Sequence, residues 1–181
     1  MARRRRSRRS YRKGRWSANI KQIAYQDTTD LNDGQFFSSL TICANPVQSD
    51  NTVSQQYTVK NIQLALTVET NQLNIIEYIE NLCGYIIYVP QGMTITSDYP
   101  FQHPEYIMAY KFYGSPAPEY SGNGATNMYS KVYPLRVRTR LARRLQTGDS
   151  VVFMLTGRGE VNTEAKDLQI NGLVRWWTKA N

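Results

Sequence analysis

Between residues 57 and 69 the chain alternates with a period of two. Lys60, Ile62, Leu64, Leu66 and Val68 fall on one side, and Val59, Asn61, Gln63, Ala65 and Thr67 on the other. A helix cannot bury such a pattern, because its apolar positions must recur with the helical turn. An extended chain can, since successive side chains point to opposite faces of a sheet. The stretch reads as a half-buried strand, and a strand needs partners.

Seven further runs supply them: residues 17–25, 35–43, 82–89, 105–113, 128–141, 151–155 and 168–177. Each is rich in β-branched or aromatic residues and bounded by Gly, Pro, Asn or Asp. The connections at 27–34, 44–55, 91–104, 114–127, 142–149 and 157–166 are polar and mostly long, and 71–81 fits either a short helix or a loop. Strands and helices do not alternate along the chain, which argues against a parallel α/β sheet. Eight antiparallel strands with long loops predict an all-β, two-sheet sandwich, a single jelly roll over residues 17–181.

Residues 1–16 cannot belong to that body. Arg3, Arg4, Arg5, Arg6, Arg8, Arg9, Arg12, Lys13 and Arg15 are cationic, and the first carboxylate of the chain is Asp27. Of 22 Lys and Arg against 14 Asp and Glu, nine cations lie in this arm, leaving a nearly neutral body of 13 against 14. A segment with so little apolar surface and so much like charge cannot offset its chain entropy and is expected to be disordered by itself. It can solubilise the protein, bind a polyanion or act as a nuclear localisation signal. Arginine grips phosphate oxygens two at a time, and Tyr11 and Trp16 add stacking surfaces among the cations, so nucleic-acid binding is the expected role.

A second cationic pattern lies in Leu135-Arg-Val-Arg-Thr-Arg-Leu141. In a strand, Arg136, Arg138 and Arg140 share one face, opposite Leu135, Val137 and Leu141. They could be a second nucleic-acid contact, a solvated face, or a set of salt bridges to a neighbouring strand or subunit.

Catalytic and metal chemistry find little footing. His103 is the only histidine, and Cys43 and Cys83 sit far apart in apolar runs as two buried free thiols. Ser150 lacks the Gly-x-Ser-x-Gly elbow. Gly122-Asn123-Gly124 and Gly157-Arg158-Gly159 lack the Lys-Ser/Thr ending of a phosphate loop. No enzyme activity and no cofactor are expected. Ala2 removes a myristoylation signal, no apolar stretch follows the basic start, and no window is long enough to span a bilayer, so no membrane is expected among the partners. Trp176 and Trp177 should point to opposite faces of the last strand, one into the core and one outward.

Three strings, Ala109-Tyr110-Lys111-Phe112-Tyr113-Gly114, Arg140-Leu-Ala-Arg-Arg-Leu-Gln-Thr-Gly-Asp-Ser-Val-Val-Phe153 and Ile170-Asn-Gly-Leu-Val-Arg-Trp-Trp-Thr-Lys-Ala-Asn181, resemble the C-terminal halves of capsid proteins of small circular single-stranded DNA viruses, the circovirus-like group. The arginine-rich start and the size are similar too, although arm and loops are shorter than in circoviruses proper. The resemblance implies a jelly roll of two four-stranded sheets and loops that join copies of the chain into a T=1 icosahedral shell. It also implies an arm facing the viral single-stranded DNA, a virion location, and passage through the host nucleus on the host import machinery. The residues alone leave two alternatives open: the coat protein of a small RNA virus or satellite, and a monomeric basic nucleic-acid-binding protein.

Overall fold

In the computed structural model, the described residues are 15–29, 35–46, 56–70, 79–113, 131–159 and 166–180. In chain order they form β1 (Ser17–Thr29), β2 (Gln35–Ala44), β3 (Tyr57–Thr70), β4 (Ile79–Val89), the short helix α1 (Tyr99–Gln102) and a 3-10 turn (Pro104–Tyr106). There follow β5 (Ile107–Phe112), β6 (Lys131–Thr139), β7 (Arg143–Leu145), β8 (Ser150–Gly159) and β9 (Lys166–Ala180). All pairings are antiparallel. One sheet, here sheet A, has the order β1-β9-β3-β6 with β7 also on β3, and the other, sheet B, has the order β2-β8-β4-β5. Except for β4 with β5 and β6 with β7, strands adjacent in sequence are thus dealt to different sheets, and the first pairs with the last. That order is the jelly roll.

The two sheets hold five and four strands rather than four each. The difference is small in substance. β6 pairs with β3 over Ile62–Thr70, and β7 pairs with it over Tyr57–Val59. β9 occupies the other edge of β3 throughout, so β6 and β7 share one position in the sheet, interrupted at residues 140–142. The break lies opposite Asn61, whose φ of 52° inserts a bulge into β3.

That bulge corrects the strict alternation expected from the sequence. Val59 and Ile62 are both fully buried, as are Leu64, Leu66 and Val68. The frame slips by one residue at Asn61, so Lys60 leaves the apolar side on which an unbroken period of two would place it. Thr139, not Leu141, completes the buried row with Leu135 and Val137; Leu141 is 54% exposed.

Between the sheets lies the main core, built from Ile62, Leu66, Ile86, Leu135, Phe153 and Val174 among others. A second apolar cluster covers the outer side of sheet B, where Tyr85, Ile87, Val152 and Met154 pack under Tyr99, Met93, Ile95 and Tyr106. The segment after Pro90, which the sequence reads as a plain loop, is the lid of this cluster. Tyr99 is its buried anchor, and His103 stacks on Tyr99 and Tyr106 at 5.0 and 5.5 Å. Asp149, also buried, accepts from the Tyr88 hydroxyl at 2.6 Å and from the backbone N–H groups of Gln91 and Gln146. Its oxygens are thus committed to holding two connections together.

Cys43 and Cys83 are free thiols, half-buried and buried respectively. Burial pushes the Cys43 thiol up to about 12, against smaller opposing effects of hydrogen bonding with Tyr57 and the Val151 backbone, and burial raises Cys83 as well. A group whose pKa is higher folded than unfolded lends stability that is complete below the unfolded value and is lost as pH rises toward the folded one. The unfolded thiol ionises near 9.0. We expect Cys43 to withdraw about 1.4 kcal/mol of stability between pH ~8 and ~10. Urea unfolding at both pH values checks this: Cys43→Ala should flatten the alkaline decline, and an unchanged slope would contradict the burial argument.

Candidate nucleic-acid interface

Of the arm residues singled out in the sequence, Arg3, Arg4, Arg5, Arg6, Arg8, Arg9, Tyr11, Arg12 and Lys13 lie outside the described residues. Arg15 is exposed and Trp16 half-buried. Trp16 occupies a definite place: the Lys60 Nζ sits 3.8 Å from the centre of its ring. The bulge at Asn61 makes that contact possible, because it turns Lys60 to the outer face of sheet A. The arm therefore joins the body on that face.

Register shows what else is there. Thr58 of β3 lies between Lys179 of β9 and Arg144 of β7. One row on, Lys60 lies beside Trp177, which pairs in turn with Ala18 of β1. In the next row Gln63 lies between Arg175 and Arg138, and Ala65 then lies between Leu173 and Arg136. The neighbours that alternate with these positions, Val59, Ile62, Leu64, Val137 and Val174, are buried, so all four rows look outward. Arg136, Arg138, Arg144 and Arg175 are exposed, and Lys60 and Lys179 are half-buried.

Arg136 and Arg138 thus share a face, as expected. Arg140 does not belong to it by strand geometry: β6 ends at Thr139, whose hydroxyl accepts from the Leu141 N–H at 3.0 Å, and Arg140 stands exposed in the break before β7. Arg143 is different again. It pairs with the buried Val59, donates to the Glu105 carbonyl at 2.7 Å and covers the Tyr88 ring at 5.4 Å, so it ties the two sheets together.

Trp177 points outward with the Arg175 guanidinium 4.6 Å from its ring centre, while Trp176 packs against the core. The side chains described on this face include no carboxylate. The contact of His103 Nδ1 with the Glu105 carboxylate, at 3.5 Å, lies elsewhere. Asp27, Glu69 and Asp167 come at the opposite end of the sheet, where Glu69 pairs with Gln169 and Asp167 with Thr28. The half of sheet A next to Trp16 is a cationic surface with two indole rings set into it. Sheet B contrasts with it, since its outer side is apolar and largely roofed by its own lid.

Lys60, Arg144, Arg175 and Lys179 escape a reading of the sequence because three separate strands contribute them. One signal was available. Arg175, Trp177 and Lys179 stand at alternate positions of the last strand and must share a face.

No protein-family model matches the chain, and no curated protein matches it. Among solved structures it is loosely similar to a chain of Desmodium yellow mottle tymovirus. Identity is 14%, with 90% of this chain and 89% of that chain covered and a TM-score of 0.31. It is also loosely similar to the infectious bursal disease virus VP2 subviral particle, at 10% identity and a TM-score of 0.24, covering 93% of this chain but 41% of that one. The jelly-roll assignment rests on the strand order, not on these likenesses.

Proposed function

We propose that the chain is the coat subunit of a small virus with a circular single-stranded DNA genome. Copies self-assemble into a closed T=1 icosahedral shell, and the arm packages the genome. The observation that carries this reading is the handover at Trp16, where an arm without a single carboxylate meets the cationic face of a jelly roll. Charge on the arm alone would suit many basic proteins. An arm continuous with the cationic half of one face of a two-sheet body divides the molecule into a side for polyanion and a side for something else.

The other side suits self-association. Phe101 of α1 is 75% exposed, and Tyr110 and Phe112 of β5, at the free edge of sheet B, are 68% and 55% exposed. Exposed aromatic groups of this kind favour contact with another protein surface, and a second copy of the same chain satisfies them. Packaging is independent of sequence, because release of counterions from phosphates rewards any nucleic acid. The same arginine run serves as the import signal that brings the chain to the host nucleus.

Negative-stain microscopy of the purified protein tests the shell, and nuclease digestion of its extracted nucleic acid tests the cargo. Uniform closed particles holding DNase-sensitive, RNase-resistant material are expected. Particles with RNase-sensitive cargo would give the coat protein of an RNA virus or satellite. A small, unassembled species at all concentrations would leave a monomeric nucleic-acid-binding module.

A further inference from the structure

We infer that the outer face of sheet A is itself a seat for single-stranded nucleic acid, in which Lys179, Arg175, Arg144 and Arg138 hold phosphates and Trp177 stacks an unpaired base. The inference rests on the reading that the chain binds nucleic acid, and extends it from the arm to a defined surface of the folded body.

Three observations carry it. The first is charge. Lys60, Arg136, Arg138, Arg144, Arg175 and Lys179 crowd into four rows of one sheet, with no carboxylate among the side chains described there. Arg175 and Arg138 share a row two strand spacings apart, roughly 10 Å, and like charges so placed repel unless an anion lies between them. The residues separating the cations, Thr58, Gln63 and Ala65, are short or uncharged, so the floor is level enough for an extended chain to lie across it.

The second observation is the aromatic component. A simple phosphate site has no use for indole rings, whereas binders of unpaired strands combine a cationic track with aromatic rings on which bases stack. Trp177 sits in the middle of the cationic rows with Arg175 against its ring. A paired duplex keeps its bases stacked inside and cannot use that ring, so the face favours single strands.

The third is continuity. Trp16, held by Lys60, sets the end of the arm beside these rows. A strand gathered by the arm reaches the sheet without leaving positive charge.

The test uses the full-length chain with its nine arm cations replaced by Gln, leaving the sheet unaltered. A fluorescent oligothymidylate of about 15 nucleotides, the corresponding duplex and linear inorganic polyphosphate serve as probes. The arm-neutral chain should still bind the oligonucleotide, more weakly than the unaltered chain and more tightly than it binds the duplex. Adding R138Q, R175Q and K179Q should weaken oligonucleotide binding at least about 10-fold and make the salt dependence shallower by about 2, at roughly 0.7 per phosphate contact. Trp177→Leu should weaken the oligonucleotide several-fold while leaving polyphosphate unchanged, and Trp177→Phe should restore most of the loss.

Failures separate cleanly. If the unaltered chain binds and the arm-neutral chain does not, the sheet has no such role, although the reading of the arm stands. Equal losses for oligonucleotide and polyphosphate on Trp177→Leu would overturn the stacking. If the charge variants bind as before but no longer assemble, the cations face a carboxylate of another copy and the seat is refuted. If the unaltered chain does not bind the oligonucleotide at all, the reading of the function falls with it.

Discussion

Deleting Met1 to Arg15 should give a folded protein that assembles with little nucleic acid inside it. Nine cations leave with the segment, and they are the densest charge in the chain. If all nine met phosphates of a single strand, log K would fall with log salt at a slope of about −6, so their removal would cost up to roughly five orders of magnitude in affinity near physiological salt. The sheet face keeps its own cations, so a small, salt-sensitive residue of binding should persist. The body should tolerate the deletion, since β1 begins at Ser17 and the Trp16 contact with Lys60 is retained. The ratio of absorbance at 260 and 280 nm in purified particles reads the load directly, and circular dichroism reports the fold. A truncated protein that keeps its full nucleic-acid load would falsify the assignment of packaging to the arm.

The strands were legible because strand geometry writes itself into the chain every second residue. Leu64, Leu66 and Val68 on one side, with Gln63, Ala65 and Thr67 on the other, define β3 without any knowledge of its partners. The pattern fails where geometry departs from period two. Asn61 carries its bulge on a single unusual φ that an asparagine adopts without a flanking Gly or Pro to announce it. The reversal of Lys60 was invisible for that reason, and with it the link between arm and sheet. Arg140 fails in the same way, because an unbroken alternation was carried past the end of β6. The lid over sheet B was missed for a different cause. Met93, Ile95, Tyr99 and Tyr106 obey no regular spacing, so their common burial depends on a path of chain that no local pattern encodes. Above all, the candidate interface is assembled across strands, and register between strands distant in sequence is a property of the closed sandwich.

The same closure makes one position in β9 nearly intolerant of change. Gly172 lies in the core-facing row between Ile170 and Val174, with Ile23 on one side and Leu66 on the other. Its φ is 152°, and a Cβ built there would stand 2.2 Å from the Ala65 carbonyl oxygen and 2.8 Å from the Leu66 Cα. Both obstacles are backbone, so no side-chain rotation can clear them, and β9 would have to move off β3 in the middle of sheet A. Backbone strain and overpacking each cost about 1–3 kcal/mol, so Gly172→Ala should lose roughly 3–5 kcal/mol. Against a total stability of about 5–15 kcal/mol, that is a large share. The urea midpoint should fall by about 2 M for a chain of this size, and Gly172→Val should fail to accumulate as soluble protein. Gly92 supplies the control. It also has a positive φ, 82°, but nothing lies within 4 Å of an added Cβ, so Gly92→Ala bears the conformational cost alone, about 1 kcal/mol. Comparable losses at the two glycines would mean that close approach of β3 and β9 is not what Gly172 provides.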